Sequence, residues 1–142
     1  MEDDETRIRR IVAEEASAWN QGSVRRYCVR LSEDSSLTDI PGGVYYGRAA
    51  IEERMAEVFA SVYKGSRVVM KVQKIRFVDG GLAIVDIDTE VVGFKTLPPG
   101  VRAWGDGTLR IRQQQVMAKG DGHMGSENWV IAAFHNVDVK SP

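Results

Sequence analysis

One cysteine, Cys28, among 142 residues leaves no internal disulfide to be formed, and a reducing cytoplasm is the default setting for such a chain. Charge of one sign is also lacking. Lys and Arg number 19 against 20 Asp and Glu, and the two signs are interspersed, so neither nucleic acid nor an anionic membrane surface is an expected partner. The apolar runs are too short to span a bilayer, and the acidic start Met1-Glu-Asp-Asp-Glu5 is the opposite of a signal peptide. The two histidines, His123 and His135, do not stand at a zinc-helix spacing, and no cysteine pair exists, so neither a metal nor a cofactor is expected. Repeats, linkers and low-complexity segments are missing as well. What is present is a hydrophobic share of 43% over residues 1–142, which suits a single domain with its own core.

The apolar spacing divides the chain into a helical first part and an alternating second part. Ile8, Ile11, Val12, Ala16 and Trp19 fall on one face of a helix over residues 4–19, and the Glu and Arg residues of that helix read as exposed surface. Asn20-Gln-Gly22 ends it. Ser23 suits the N-cap of a short second helix bearing Val24, Tyr27, Cys28 and Leu31. Residues 36–40, a Pro41-Gly-Gly43 turn and residues 44–46 form a small hairpin. Gly47-Arg-Ala-Ala-Ile51 opens a third helix with Ile51, Met55, Val58, Phe59 and Val62 inward, closed by Lys64-Gly65.

From Arg67 the period becomes two. Val68, Met70 and Val72 alternate, then Ile75 and Phe77 continue on the other parity, which implies a bulge near Gln73-Lys74. Asp79-Gly-Gly81 turns the chain into a strand over 82–94, residues 97–107 make the one long loop, and strands over 108–119 and 127–140 follow. In the last strand Trp129, Ile131, Ala133 and His135 share one face at period two, and Val130, Ala132, Phe134 and Asn136 the other. At most one of His135 and Asn136 therefore faces a cavity, unless a bulge intervenes. Helices first and antiparallel strands last make an α+β chain.

Five segments in order carry a family resemblance: Ala18-Trp-Asn-Gln-Gly22, Tyr46-Gly-Arg-Ala-Ala-Ile51, the Phe59…Lys64-Gly-Ser66 helix exit, Leu97-Pro-Pro-Gly100, and Trp129…Ala133-Phe-His-Asn136. Together they resemble the SgcJ/EcaC branch of the SnoaL-like proteins, within the nuclear-transport-factor-like superfamily. The resemblance implies a cystatin-like cone: three N-terminal helices packed on a strongly curved, mainly antiparallel sheet. It also implies a small-molecule cavity and a homodimer packed through the sheets. Such folds host isomerases, cyclases, epoxide hydrolases, dehydratases and plain binders, so the fold sets no reaction. The chain departs from the branch in its longer loop over residues 118–127.

Asp39 leads the candidate residues. It shares strand parity with Leu37, so a cavity reached by one is reached by the other, and a carboxylate on an apolar wall suits a general base. The segment over 37–42 resembles the region of ketosteroid isomerases that holds their proton-abstracting aspartate. The bland alternative is an Asp that caps the turn before Pro41-Gly42. Gln113 and Gln115 share a face with Leu109, Ile111 and Met117, where an amide needs a ligand, a water or a protein partner. The residue near Gln115 is an acid in those isomerases, and an amide is a weaker donor. The alternative for both glutamines is a dimer interface.

His135 is a candidate acid or base by its ordinary pKa, or a hydrogen-bonded structural residue. Tyr27 would bring a hydroxyl to the cavity, Trp19 is core, and Trp104 in the long loop is a candidate lid or dimer contact. Gly120-Asp-Gly-His-Met-Gly125 matches a dinucleotide fingerprint in letters only, because it joins two strands and opens no helix. Asp86, Asp88 and Glu90 read as a solvated face.

These residues point to a protein with a pocket for a small hydrophobic molecule. One expectation is general acid/base chemistry of the isomerase, cyclase or hydratase kind on an apolar oxygenated metabolite. Asp39 and His135 would then be catalytic, with Tyr27, Trp104, Gln113 and Gln115 binding the ligand. The alternatives are a non-catalytic binder of a hydrophobic metabolite and a dimeric interaction module.

Overall fold

Apolar residues at three- and four-residue spacing wind the first segment into helix α1 (Asp4–Asn20), which buries Ile8, Ile11, Val12, Ala18 and Trp19. The Asp3 carboxylate caps it by accepting from the Thr6 amide at 2.8 Å, and Asp4 and Glu5 add favourable charge to the first turn. Ser23 caps α2 (Val24–Tyr27), accepting from the Arg26 amide at 3.2 Å. The computed structural model describes residues 2–120 and 128–141. Helix α2 stops at Tyr27, and Leu31 opens strand β1 (Leu31–Thr38) instead of extending the helix as its spacing suggests. Leu31 fits either face pattern; its parallel pairing with Ile131 decides for the strand.

After β2 (Val44–Tyr46) comes α3 (Arg48–Ala60), which buries Ile51, Met55 and Val58. The strands β3 (Arg67–Asp79), β4 (Leu82–Val92), β5 (Leu109–Gly120) and β6 (Asn128–Asp138) then complete one sheet. Its order is β2-β1-β6-β5-β4-β3, parallel only where β1 meets β6. The helices lie against one face, where Val85, Ile87 and Val91 of β4 meet Leu109, Ile111 and Met117 of β5 and Ile131 and Phe134 of β6. This is the expected α+β architecture, with the helices packed on a mainly antiparallel sheet. Among the described residues no helix is long and apolar enough to cross a membrane.

Of the register shifts in the sheet, two bear on the site and its outer face. In β3 the register slips between Val72 and Lys74, where the parity of the apolar residues changes. The other is in β6: Val116 pairs with Ala133 and Met117 with Ile131, so Ala132 is the extra residue. This corrects the uniform alternation expected along the strand. Trp129 and Ile131 face inward, then Phe134 does, while His135 is exposed on the outer face. The dinucleotide-like stretch beyond Gly120, with His123 and most of the 118–127 loop, lies outside the described residues.

Candidate functional site

The helices and the inner sheet face do not close completely on each other. Trp19, Tyr27, Phe59 and Tyr63 form an edge-on aromatic cluster, with Trp19 in ring contact with each of the other three at centroid distances of 4.9–5.8 Å. The Trp19 indole donates to Ser66 Oγ at 2.9 Å, which fixes its plane. Beyond Trp19, Tyr27 and Tyr63, a cavity opens toward Met55, Val58, Met70, Ile111 and Phe134, under Pro98 and Val101 of the long loop. It offers about 70 Å³ to the centres of water-sized molecules, well above the ~10–15 Å³ that one water needs.

Among the described residues, the polar side chains of Tyr27, Asp39, Arg54, Tyr63, Thr89, Gln113 and Asn136 line this largely apolar space. Asp39 combines both readings open to it. Its Oδ1 accepts from the Gly43 amide at 2.7 Å, as a turn-capping Asp does, yet its side chain also lines the cavity and is only 15% exposed. Arg54 Nε stands 3.6 Å from Asp39 Oδ2 and supplies a counter-charge. Thr89 is buried on the inner face of β4, and its hydroxyl has no hydrogen-bond partner among the described residues.

Across the cavity from the turn, the sheet presents a chain of amides that leads to a buried acid. Gln113 Nε2 donates to Asn136 Oδ1 at 2.8 Å. Gln115 Nε2 donates to Gln113 Oε1 at 2.7 Å and to the two oxygens of Glu15 at 3.0 and 3.2 Å. Burial pushes the Glu15 carboxyl from 4.5 to about 8; the hydrogen bond from Gln115 pulls it back and the charge of Glu14 adds to the rise. Burial likewise pushes the Tyr27 hydroxyl well above 10, with the Glu15 charge adding and a hydrogen bond from Gln113 opposing. Tyr27 therefore remains a neutral phenol beside the amides.

Of the residues singled out from sequence, Asp39, Tyr27 and Gln113 meet at one cavity, and Gln115 stands directly behind Gln113. Both glutamines are buried inside the chain, at 4% and 0% exposure, which replaces the dimer-interface reading with an internal one. His135 is placed away from them: the Ala132 bulge leaves it on the outer face, beside Gln73, Asp86, Arg112 and Gln114. Asn136 takes the inward position. Trp104 is not a cavity wall either. Its indole donates to the Val139 carbonyl at 2.8 Å and its ring lies 4.4 Å under the Arg110 guanidinium, so it pins the long loop to the end of β6. Asp86 and Asp88 accept from Gln114 and Arg112 on the outer face, as expected of a solvated surface.

Glu15 is the residue that sequence reasoning passed over, because the charged residues of α1 were assigned together to the surface. The signal was in the spacing. Position 15 follows Ile11 by four and precedes Trp19 by four, so it falls on the buried stripe.

A scan of family models returns no match to this chain, and a search of curated sequences returns none either. Solved structures do match. A domain of unknown function with a cystatin-like fold from Nostoc punctiforme is similar over 97% of this chain and 78% of its own, at 26% identity and TM-score 0.78. A ketosteroid isomerase-like protein from Erwinia carotovora atroseptica matches over 99% of this chain and all of its own (100%), at 13% identity and TM-score 0.76. A type 2 hexachlorocyclohexane dehydrochlorinase covers 96% of this chain and 85% of its own, at 12% identity and TM-score 0.75. The chain thus has the cystatin-like, nuclear-transport-factor-like fold, on which proteins named as enzymes and proteins of unknown function both occur.

Proposed function

We propose that this protein binds a small, largely apolar, oxygen-bearing molecule in the cavity and moves a proton on it by general acid/base chemistry. Asp39 abstracts or relays the proton. Tyr27, a neutral phenol, donates to the oxygen on which charge develops, and the Gln113 and Asn136 amides line the cavity beside it. The observation that carries this reading is that Asp39, the Tyr27 phenol and the Gln113 and Asn136 amides line one largely apolar cavity. The isomerase-like and dehydrochlorinase names among its structural neighbours are in keeping with it. The motif segments support placement in the SgcJ/EcaC branch, and the single free Cys28 supports a cytoplasmic setting. A homodimer would form through the outer sheet face, where Val69, Val92 and Val137 are exposed.

A second reading is a non-catalytic binder of the same kind of molecule. It is favoured by the hold on Asp39, whose two oxygens already face the Gly43 amide and the Arg54 guanidinium. Native mass spectrometry of freshly purified protein tests occupancy and dimer formation together. The co-purified molecule is then incubated in deuterated water with wild type and with Asp39→Asn. Deuterium incorporation by wild type alone supports proton transfer. Equal binding with no incorporation by either supports the binder, and a protein that retains no small molecule counts against both.

A further inference from the structure

The Glu15–Gln115–Gln113–Asn136 chain has a direction. An ionised carboxylate only accepts hydrogen bonds, and a primary amide has one accepting and one donating end. In the arrangement described, Gln115 Nε2 donates to Glu15 and to Gln113 Oε1, and Gln113 Nε2 donates to Asn136 Oδ1. Asn136 is left with its Nδ2 as the group to offer at the cavity it lines. Each amide hands on the polarity that it receives.

A neutral Glu15 has a hydroxyl that must donate, because an unpaired buried donor costs about 1–3 kcal/mol. The Gln115 amide takes that proton only with its oxygen turned toward Glu15. Gln115 Oε1 has no partner among the described residues, so the turn breaks no bond on that side, and its cost is the amide nitrogen set in place of that oxygen. Gln113 must then turn its nitrogen to Gln115 and its oxygen to Asn136. Asn136 now donates inward and presents Oδ1 to the cavity.

We propose that Glu15 is a positioning residue which, through Gln115 and Gln113, sets whether Asn136 offers a ligand a hydrogen-bond donor or an acceptor. With Glu15 neutral the cavity takes a hydroxyl-bearing molecule; with Glu15 charged it takes a carbonyl-bearing one. The ligand half of this proposal rests on the small-molecule reading of the cavity, whereas the amide half does not.

The changeover falls near pH 8, where burial places the Glu15 carboxyl. The other titratable groups that bear on Glu15 are Glu14 on α1, Tyr27 on α2 and Cys28 just after it; β5 faces it with amides. Burial holds Tyr27 well above 10 and pushes Cys28 up to about 12, so both stay neutral through the changeover.

The test is a nuclear magnetic resonance titration from about pH 6 to about pH 9, a range that spans the ordinary transition of no carboxylate and stops short of the ionisation of a phenol. It follows the Glu15 carboxyl carbon and the Gln113 and Asn136 side-chain amides, with phenol and cyclohexanone as donor and acceptor probes. The Asn136 amide is expected to move with the Glu15 midpoint. Across that midpoint the preference for phenol over cyclohexanone should fall by about three- to tenfold, the worth of one hydrogen bond. Glu15→Gln should remove both responses. An Asn136 amide that stays flat through the Glu15 midpoint, or that responds unchanged in Glu15→Gln, overturns the proposal. If Glu15→Gln does not fold, the wild-type titration decides together with Gln113→Leu, which should keep the Glu15 midpoint and lose the Asn136 response. A coupled amide response without binding of either probe keeps the Glu15 role and counts against the small-molecule reading. Probe binding with flat amides does the reverse.

Discussion

The Gln115 amide nitrogen lies 3.0 Å from one carboxylate oxygen of Glu15 and 3.2 Å from the other, tying the first helix to the fifth strand across 100 residues of chain. Glu15 is 3% exposed and Gln115 not at all. Burial of the Glu15 carboxyl, which the Gln115 bond only partly offsets, makes stability depend on pH. The Glu15 carboxyl titrates at 4.5 in an open chain and near 8 in the fold, so between those values the folded form holds a proton that the unfolded form has lost. The stability that this group lends is whole below about pH 4.5 and drains away as pH rises through about 8. Glu15→Gln keeps the shape and removes the titration. Denaturant unfolding should show the variant gaining on wild type by up to about 1.4 kcal/mol per pH unit inside that window. A constant difference between the two proteins from pH 5 to pH 9 would be the wrong result.

Thr89 offers a second measurable consequence. Its hydroxyl is buried beside the cavity without a partner among the described residues. Thr89→Val keeps the shape and removes the unsatisfied group, so the empty protein should gain about 1 kcal/mol. The same change should weaken retention of the co-purified molecule if that molecule bonds to Thr89. Thermal melting and native mass spectrometry on the same preparation read the two effects separately. A loss of stability in the empty protein would show that the hydroxyl has a partner after all.

Gly43 is held by geometry. A Cβ at this position would stand 3.0 Å from the Tyr45 hydroxyl oxygen and 3.1 Å from Asp39 Oδ1, the oxygen that accepts from its own amide. Gly43→Ala must therefore move the carboxylate, at a cost of about 1 kcal/mol for the weakened bond. It should reproduce part of the functional loss in Asp39→Asn while keeping the carboxylate. If Gly43→Ala leaves binding and proton exchange as in wild type, the position of Asp39 does not govern them.

Where the sequence spoke and where it did not follows from what periodicity can express. The change of parity after Val72 was visible because large apolar residues stand on both sides of it, and the register slips there. The bulge at Ala132 left no such mark: Ala132 and Ala133 are adjacent and alike, so alternation reads through them without a break. His135 and Asn136 could not be assigned to faces for that reason. Gln113 was legible as a polar residue at core parity on a strand, and Asp39 as one continuing the parity of Leu37 just past the end of β1. Glu15 stood at core parity on a helix, but among Glu and Arg neighbours its position was outweighed by its charge. Trp104 shows another limit, since no local pattern announces that a loop indole will reach the Val139 carbonyl.

Phe134 joins the bulge to the cavity. It is the first inward residue after Ala132, is 2% exposed, pairs across the sheet with Leu37 and Gln115, and lines the cavity. Phe134→Ala removes a buried ring and should cost about 3–5 kcal/mol in unfolding free energy. Because an opening already lies beside the ring, the loss should fall toward the lower end of that range: part of the ring's surface has no packed neighbour to lose. The enlarged cavity should also accept a bulkier probe, so binding of a substituted cyclohexanone should improve relative to cyclohexanone itself. Denaturant unfolding and probe titration on one variant measure both effects. A full 5 kcal/mol loss with no change in probe preference would mean that Phe134 packs into a closed core and that the cavity ends before it.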